Sequence, residues 1–379
     1  MSKAPVAVIH TVGSLTPNSG VTPVISNSLG YRQAAGQQAR CVAFSDHYDA
    51  TRWSGLTGAL RLIERPRLPW QQYARFRDAL VDEVTQQRQQ GYSVVLHDHG
   101  MWLPSNLAAS AVARDLNCPI IVSPHGMLQP EALNTSKAKK FLAWHLVEQR
   151  RLRQAQMVLA ASAMEAQAIK LQLSARDVRT CPLGVEVDDL QVVEAEDRPK
   201  VVLFLGRLHP IKGLDLALRA WSEIAAESEW TLKIAGPGDP GFVSELRSLA
   251  EQLKIAGRVE FTGPLHGEAK KEALNKSAVL ILPSRSENFG LVICEALAHG
   301  TPVITTSTTP WADVERLGCG WIAEPSVQGL AACLSAAINT PMPTLQAMGH
   351  AGWSWMKSSF DLPVVARQMN DCYEELGHA

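Results

Sequence analysis

No stretch of about 18 apolar residues occurs in the 379-residue chain, so no membrane-spanning helix is expected. No long hydrophobic region follows the start MSKAPVAVIHTVGS, whose short apolar run reads as a first buried strand rather than a signal peptide. A cytoplasmic location follows by elimination. The seven cysteines, Cys41, Cys118, Cys181, Cys294, Cys319, Cys333 and Cys372, are scattered and odd in number, and no C-x-x-C pair occurs. That spacing argues against a disulfide framework or a zinc site and for reduced, buried thiols. Charge of one sign is also missing. Thirty-six Lys and Arg stand against 37 Asp and Glu, a formal net charge of −1, which leaves no global field to attract nucleic acid. No G-x-G-x-x-G follows an early strand, which disfavours a nicotinamide dehydrogenase. No repeat with a period of 20–50 residues is visible.

What is present is the balance of a folded protein, 46% hydrophobic and 19% charged. The length suggests two domains. Short apolar runs alternate with helical patterns. In the first half, Val6–His10, Ser93–His97, Pro119–Ser123, Met157–Ala160 and Arg179–Pro182 read as strands. Pro23–Gln37 and Asn106–Leu116 read as helices. The rhythm then restarts with strands Lys200–Leu205, Trp230–Ala235, Val259–Thr262, Ala278–Leu282 and Pro302–Thr305. Helices are expected at Leu214–Glu227, Phe242–Leu253 and Gly290–His299. Such alternation predicts parallel sheets with covered faces, hence an α/β protein of two Rossmann-like domains. The polar stretch Gln191–Pro199 marks the expected boundary, giving domains 1–195 and 196–360, with 361–379 as a terminal amphipathic helix.

Ligands of such sheets bind beyond the carboxyl ends of the strands. Three clusters lie there. In PSRSENFGLVICEA, Glu287 ends a loop, Gly290 and Leu291 open a helix whose free N–H groups suit phosphate, and Glu295 sits inside that helix. A carboxylate at Glu295 can accept from a ribose diol, and one at Glu287 from a sugar hydroxyl. Alternatively, Glu287 caps the helix and Glu295 faces solvent. In GRLHPIKG, Arg207 and Lys212 supply a fork donor and a point charge suited to a diphosphate, or a pair of solvated cations. In the first half, Gly13–Gly20, His97-Asp98-His99-Gly100 and Ser123-Pro124-His125-Gly126 each follow a strand. A histidine in such a place is either a structural hydrogen-bonding residue or a ligand contact. The pairing H-D-H lacks a third metal ligand, and no metal is expected.

Glu287 and Glu295, with seven residues between them and Phe289-Gly290 close behind the first, resemble the E-x7-E signature of the family 4 retaining glycosyltransferases. Arg207 and Lys212 look like that family's donor phosphate pair. The likeness extends over essentially the whole chain and is strongest from Leu203 to Pro325. It implies a GT-B fold, two Rossmann-like domains facing across a cleft, with the terminal helix returning to the first. By resemblance, Glu295 binds the nucleotide ribose and Glu287 a hydroxyl of the donor sugar. Asn288, Phe289, Gly290 and Leu291 line sugar and phosphates through their backbone. Gly206, Gly236 and Pro237 shape the nucleotide side, and His125 contacts the transferred sugar. Gly20 matches a glycine loop near the phosphates, with the departure that Ser19 stands where the family usually has a second glycine. Asp98 and His99 are weaker candidates for the acceptor. SPHGML, HDHGMWLPSN, TPW and GCGW resemble bacterial enzymes of lipopolysaccharide, capsule or exopolysaccharide synthesis.

The resemblance implies a UDP- or GDP-sugar donor, a glycan, lipid-linked or small-molecule acceptor, no cofactor, and front-face transfer without a metal. The segment Lys137–Arg153 carries Lys137, Lys139, Lys140, Arg150, Arg151 and Arg153 against Glu148, with Phe141, Leu142, Trp144 and Leu146 interleaved. It suits docking on the anionic inner face of a membrane, or an ordinary packed helix with a basic side. Rival readings are a nucleotide-sugar epimerase of the same architecture, a glycoside phosphorylase, for which no clear pyridoxal lysine exists, and a catalytically silent nucleotide-sugar-binding homologue.

Overall fold

The computed structural model of the chain describes residues 4–16, 20–46, 48, 53, 55–134, 136–173, 177–188, 198–224 and 228–378. The chain forms two compact units, Met1–Gly184 with Leu362–Ala379, and Val185–Asp361.

The first unit runs β1 (Val6–Ser14), α1 (Val21–Ala34), β2 (Ala39–Phe44), β3 (Leu60–Ile63), α2 (Pro69–Gln89), β4 (Ser93–His99), α3 (Pro104–Asp115) and β5 (Ile120–Ser123). It continues through α4 (Pro130–Asn134), α5 (Lys137–Ala143), α6 (Gln149–Gln154), β6 (Met157–Ala160), α7 (Ala163–Gln172) and β7 (Val178–Thr180). Its seven strands lie in the order β3-β2-β1-β4-β5-β6-β7, all parallel. Strand order reverses between β1 and β4, and at such a switch point the loops part and leave room for a ligand.

The second unit runs β8 (Val201–Leu205), α8 (Leu214–Ile224), β9 (Thr231–Ala235), α9 (Pro240–Gln252), β10 (Val259–Gly263), α10 (Gly267–Lys276) and β11 (Val279–Leu282). Then follow α11 (Leu291–Ala298), β12 (Val303–Thr306), α12 (Asp313–Arg316), β13 (Gly320–Ala323), α13 (Val327–Asn339) and α14 (Met342–Ser359). Its six parallel strands lie in the order β10-β9-β8-β11-β12-β13, with the switch between β8 and β11. The apolar stripe of α8, Leu214, Ala217, Leu218 and Trp221, recurs at helical spacing and is fully buried.

The last helix, α15 (Leu362–Gly377), belongs to the first unit. Val365, Cys372 and Tyr373 pack on Val6, Val8, Val95, Ile121 and Leu159, covering one face of the first sheet. Ser93 Oγ donates to the Gly377 carbonyl at 2.6 Å, tying the helix end to the start of β4.

Several expectations need adjustment. The division falls at Gly184/Val185, ahead of Gln191–Pro199, of which 191–197 lie outside the described residues. Val185 pairs with Asp361, and Lys357 Nζ donates to the Val187 carbonyl at 2.7 Å, so residues 185–188 are held by the second unit. The expected end of α8 at Glu227 also lies outside the described residues. β2, β3 and α2 were not anticipated, because ARCVAF and LRLI are short and interrupted by arginine. The segment 137–153 is not one regular helix with a basic face. A π turn at Trp144–Glu148 separates α5 from α6 and turns Trp144, Glu148 and Arg151 inward, while Phe141, Leu142 and Leu146 stay exposed.

Candidate functional site

In the second unit the switch point is built by two loops. After β8 the chain passes Gly206-Arg207-Leu208-His209, makes a tight turn at Pro210–Lys212, and enters α8 through Gly213. Gly213 has φ +68°, and a Cβ there would overlap the carbonyl oxygen of Pro283, the first residue after β11. Only glycine lets the loops approach so closely. Arg285 then fastens them: its N–H donates to Ile211 O at 2.8 Å and its guanidinium to Asp215 at 2.7 and 2.8 Å.

That contact brings Lys212 to Glu287. Lys212 Nζ donates to Glu287 Oε2, and Ser284 Oγ donates to the same oxygen at 3.2 Å. Their side chains keep 18% and 14% of their exposure, so the pair is shielded yet reachable. Thr306 and Thr308 hydroxyls both donate to the Ser284 carbonyl, at 2.6 and 2.7 Å, and fix the loop from β12. Arg207 is exposed and makes no ion pair among the described residues. His209 is pulled below the usual imidazole range by burial, then by Arg207 and Lys212, so positive potential gathers in this loop.

Gly290, with φ +79°, precedes α11, whose first N–H groups open beside Glu287. Glu295, on α11, accepts from Lys270 Nζ of α10 at 2.6 Å. Phe289 is buried against Trp311, whose indole N–H donates to the Phe289 carbonyl. That hydrogen bond fixes the backbone of Phe289 just ahead of α11. Asn288 precedes this anchored residue, and Gly290 and Leu291 follow it. On the other side, Gly206 N–H donates to Ala235 O at 3.0 Å and Leu208 N–H to Pro237 O at 2.7 Å. A Cβ at Gly236 would overlap the Gly206 carbonyl, so Gly206, Gly236 and Pro237 form one tight junction at the ends of β8 and β9.

The first unit carries its own polar group at the switch point. Sheet register sets His10 of β1 beside His97 of β4, and His99 beside Ser123 of β5. His125, in the left-handed region at φ +51°, points its Nε2 to His99 Nδ1 at 2.9 Å. His99 Nε2 meets His10 Nδ1 at 2.9 Å, and His10 Nε2 meets Ser28 Oγ at 3.0 Å. The Tyr373 hydroxyl lies 2.7 Å from His97 Nδ1, and His97 Nε2 lies 2.8 Å from Ser123 Oγ. Burial pushes all of these imidazoles down, His10, His97 and His99 well below the ordinary value and His125 to about 4. They are neutral at pH 7.

Asp98 does not open to a ligand, a correction to its candidacy for the acceptor. Its carboxylate is fully buried, paired with Arg151 at 2.7 Å and held by Thr11 at 2.7 Å and Asn106 at 3.0 Å. Arg151 also binds Glu148 at 2.8 Å, so the π turn that spoils a simple basic helix delivers Asp98's counter-ion. His99, only 2% exposed, acts inside the histidine row and does not face an acceptor directly. The missing third partner of H-D-H is supplied by His10: the ring nitrogens of His10, His97 and His99 lie within 4.8 Å of one another, close enough to share a cation. Every one of those nitrogens already has a hydrogen-bond partner. Gly20 precedes α1 at φ −64°, and a Cβ there would meet nothing within 4 Å, so only a ligand's approach could require glycine. Ser19 lies outside the described residues.

Lys270, Ser284, His10, Ser28 and Tyr373 were missed from sequence. Lys270 and Tyr373 sit in ordinary helical patterns. His10 offered a signal, a polar residue inside an otherwise apolar central strand.

Residues 19–185 match the model of a glycosyl transferase 4-like domain, and 187–355 that of glycosyl transferases group 1. A D-inositol 3-phosphate glycosyltransferase of Rhodococcus erythropolis is 28% identical over 282 residues, 69% of this chain and 61% of the relative. Another of that name from Rhodococcus jostii is 41% identical over 118 residues, 30% of this chain and 26% of the relative. The matched segments span less than two thirds of these relatives' own length. HepE of Anabaena, crystallised with UDP and glucose, superposes with a TM-score of 0.77 at 18% identity, covering 97% of this chain and 99% of HepE. Two consecutive domain matches, two all-parallel sheets and this structural likeness lead to one assignment: the chain belongs to the group 1, family 4-like glycosyltransferases of the GT-B fold.

Proposed function

We propose that the protein is a retaining glycosyltransferase that moves a hexose-type sugar from a UDP- or GDP-sugar to a glycan, lipid-linked or small-molecule acceptor in bacterial surface polysaccharide synthesis. The observation that carries this reading is Glu287 held by Lys212 and Ser284 at the mouth of α11. A carboxylate so fixed is a hydrogen-bond acceptor for sugar hydroxyls, and the cation beside it is a counter-charge for phosphate.

In this reading the second unit takes the nucleotide. Glu295 accepts from the ribose diol, Gly236 and Pro237 bound the base and ribose side, and Gly206 lets the diphosphate approach. Arg207, Lys212 and the α11 N–H groups stabilise charge on the leaving diphosphate. The anomeric C–O bond to phosphate breaks while the acceptor oxygen attacks from the same face. The acceptor proton passes to a phosphate oxygen. The fixed positive groups take the part of a metal cation. The first unit offers His125 to a sugar hydroxyl, with Gly20 near the phosphates. HepE's complex with UDP and glucose supports a nucleotide-sugar donor of this kind.

The acceptor-side partner is assigned to an anionic membrane face. Phe141, Leu142 and Leu146 are 65%, 59% and 66% exposed, with Lys137, Lys139, Arg150 and Arg153 exposed along the same segment.

A thermal-shift panel of UDP, GDP and ADP with their common sugar conjugates, without added metal, tests the donor site. A ligand of the native state raises Tm, and Arg207→Ala should reduce the rise. No shift with any nucleotide at millimolar concentration would remove the transferase reading in favour of a silent homologue.

A further inference from the structure

Between α1 and α15 runs a narrow crevice, bounded also by Pro182, Leu183 and Gly184, and every residue that lines it belongs to the first unit. Its lining combines rings with aliphatic side chains. The rings include His10, His97 and Tyr373, with the His10 and His97 centroids 5.3 Å apart. The aliphatic part includes Val24, Leu183, Leu362 and Met369. A slot of this composition suits a flat apolar body, which stacks on rings and buries its faces.

One charged side chain lines the crevice, Arg32 in the last turn of α1, and it is only 2% exposed. Its guanidinium donates to the Val6 carbonyl at 2.9 Å, to the Gln38 carbonyl at 3.4 Å and to Asn370 Oδ1, and it lies 5.5 Å from the centre of the Tyr373 ring. All three acceptors are neutral. A guanidinium has more N–H donors than these bonds use, and it keeps its charge at any physiological pH. Arg32 has no ion pair among the described residues. Glu374 attracts it without contacting it, and pairs instead with His378 at 3.7 Å.

Buried charges in folded proteins are ordinarily paired. Arg151, the other buried arginine of this unit, obeys that rule with Asp98 at 2.7 Å and Glu148 at 2.8 Å. Arg32 is equally buried and lacks such a partner. The imidazoles of His10 and His97 are neutral, so they add no second cation and stay available for stacking.

We propose that this crevice is a binding site for a flat aromatic carboxylate, whose ring packs among His10, His97, Tyr373 and the aliphatic side chains and whose carboxylate supplies the counter-charge that Arg32 lacks. The planar fork of a guanidinium matches a carboxylate in geometry as well as in sign. The site shares no residue with the proposed donor site. Its occupant lies against His10 and His97, in the row that ends at His125, so it is placed to act on the first unit's polar group.

Calorimetric titration of the full-length protein with 2-naphthoate, and with 2-naphthamide as the uncharged molecule of the same shape, tests this. The expected result is one site for the acid and at least about tenfold weaker binding of the amide, the loss expected for a hydrogen bond to a charged group. Arg32→Gln should bring the acid down to the affinity of the amide. Because Arg32 also holds Val6 and Gln38, that variant alone could fail by misfolding. Ala366→Phe leaves Arg32 untouched, fills the crevice from α15 and should abolish binding of both molecules. Saturating UDP should leave the 2-naphthoate isotherm unchanged. No binding of 2-naphthoate at millimolar concentration, equal binding of acid and amide, undiminished binding in Ala366→Phe, or displacement by UDP would each overturn the proposal. None of these readouts requires turnover of a nucleotide-sugar.

Discussion

Lys212 and Glu287 lie 75 residues apart in the chain and share one proton-bridged contact between the loops after β8 and β11. Both are shielded, so neither is a surface ion pair of negligible worth. Lys212→Ala is expected to lower turnover of the donor by about 100-fold or more, as loss of a transition-state charge partner does. Because Glu287 keeps Ser284, the melting temperature should move by only a few degrees. Steady-state kinetics beside calorimetry checks this. A variant with near-normal kcat would take Lys212 out of the chemistry.

Glu295 is the test of nucleotide recognition. Lys270 holds its carboxylate in place, so Glu295→Ala should weaken UDP or GDP binding about 10- to 100-fold, the range for hydrogen bonds to a charged group. A 2′,3′-dideoxy nucleotide should bind wild type and variant alike. Calorimetric titration that finds the variant still discriminating the ribose diol would move that contact elsewhere.

Alternating strands and helices, both switch-point loops and the E-x7-E spacing were legible in the sequence, because each is a local pattern. The partners were not. Lys270–Glu295 spans two helices and Lys212–Glu287 two loops, and neither spacing has a local signature. His10 meets His97 only through the register of β1 on β4, and Tyr373 joins them from the far end of the chain. Arg151 looked like one more surface cation; a π turn, which propensity does not announce, buries it on Asp98.

Acid should undo the first unit before neutral pH stress does. His10, His97 and His99 are depressed in the fold, so between the ordinary imidazole value and the folded one the unfolded chain binds more protons. Stability is full above about pH 6.5 and is lost as pH falls, by about 1.4 kcal/mol per pH unit for each buried ring. Melting curves at pH 7.5, 6 and 5 should show a steepening drop. His97→Gln should flatten it; an unchanged slope would assign the loss to other groups.

Gly213→Ala puts a methyl group into the Pro283 carbonyl at a positive φ. The expected cost is at least about 2 kcal/mol. If the two loops part instead of the unit unfolding, nucleotide affinity falls further than stability. Circular dichroism melts and nucleotide titration of the same sample separate these.

The exposed Phe141 and Leu146 bear on the membrane assignment. Flotation with vesicles containing an anionic phospholipid should retain the wild type. Phe141→Glu with Leu146→Glu should lose at least about tenfold in partitioning, from lost apolar burial and added repulsion. Equal retention of both proteins by anionic and neutral vesicles would be the contrary outcome.

Tyr373 and α15 give the first unit a dependence on the order of synthesis. A ribosome delivers β1 through β7 early, then the whole of Val185–Asp361, and only afterwards the helix that covers Val8, Val95 and Leu159. Until that helix arrives, the first unit has one face of its sheet bare and His97 without its phenol. The unit whose strands are translated first is therefore the one that cannot close before α15 is delivered, and its uncovered sheet face is the surface a chaperone would meet in the meantime.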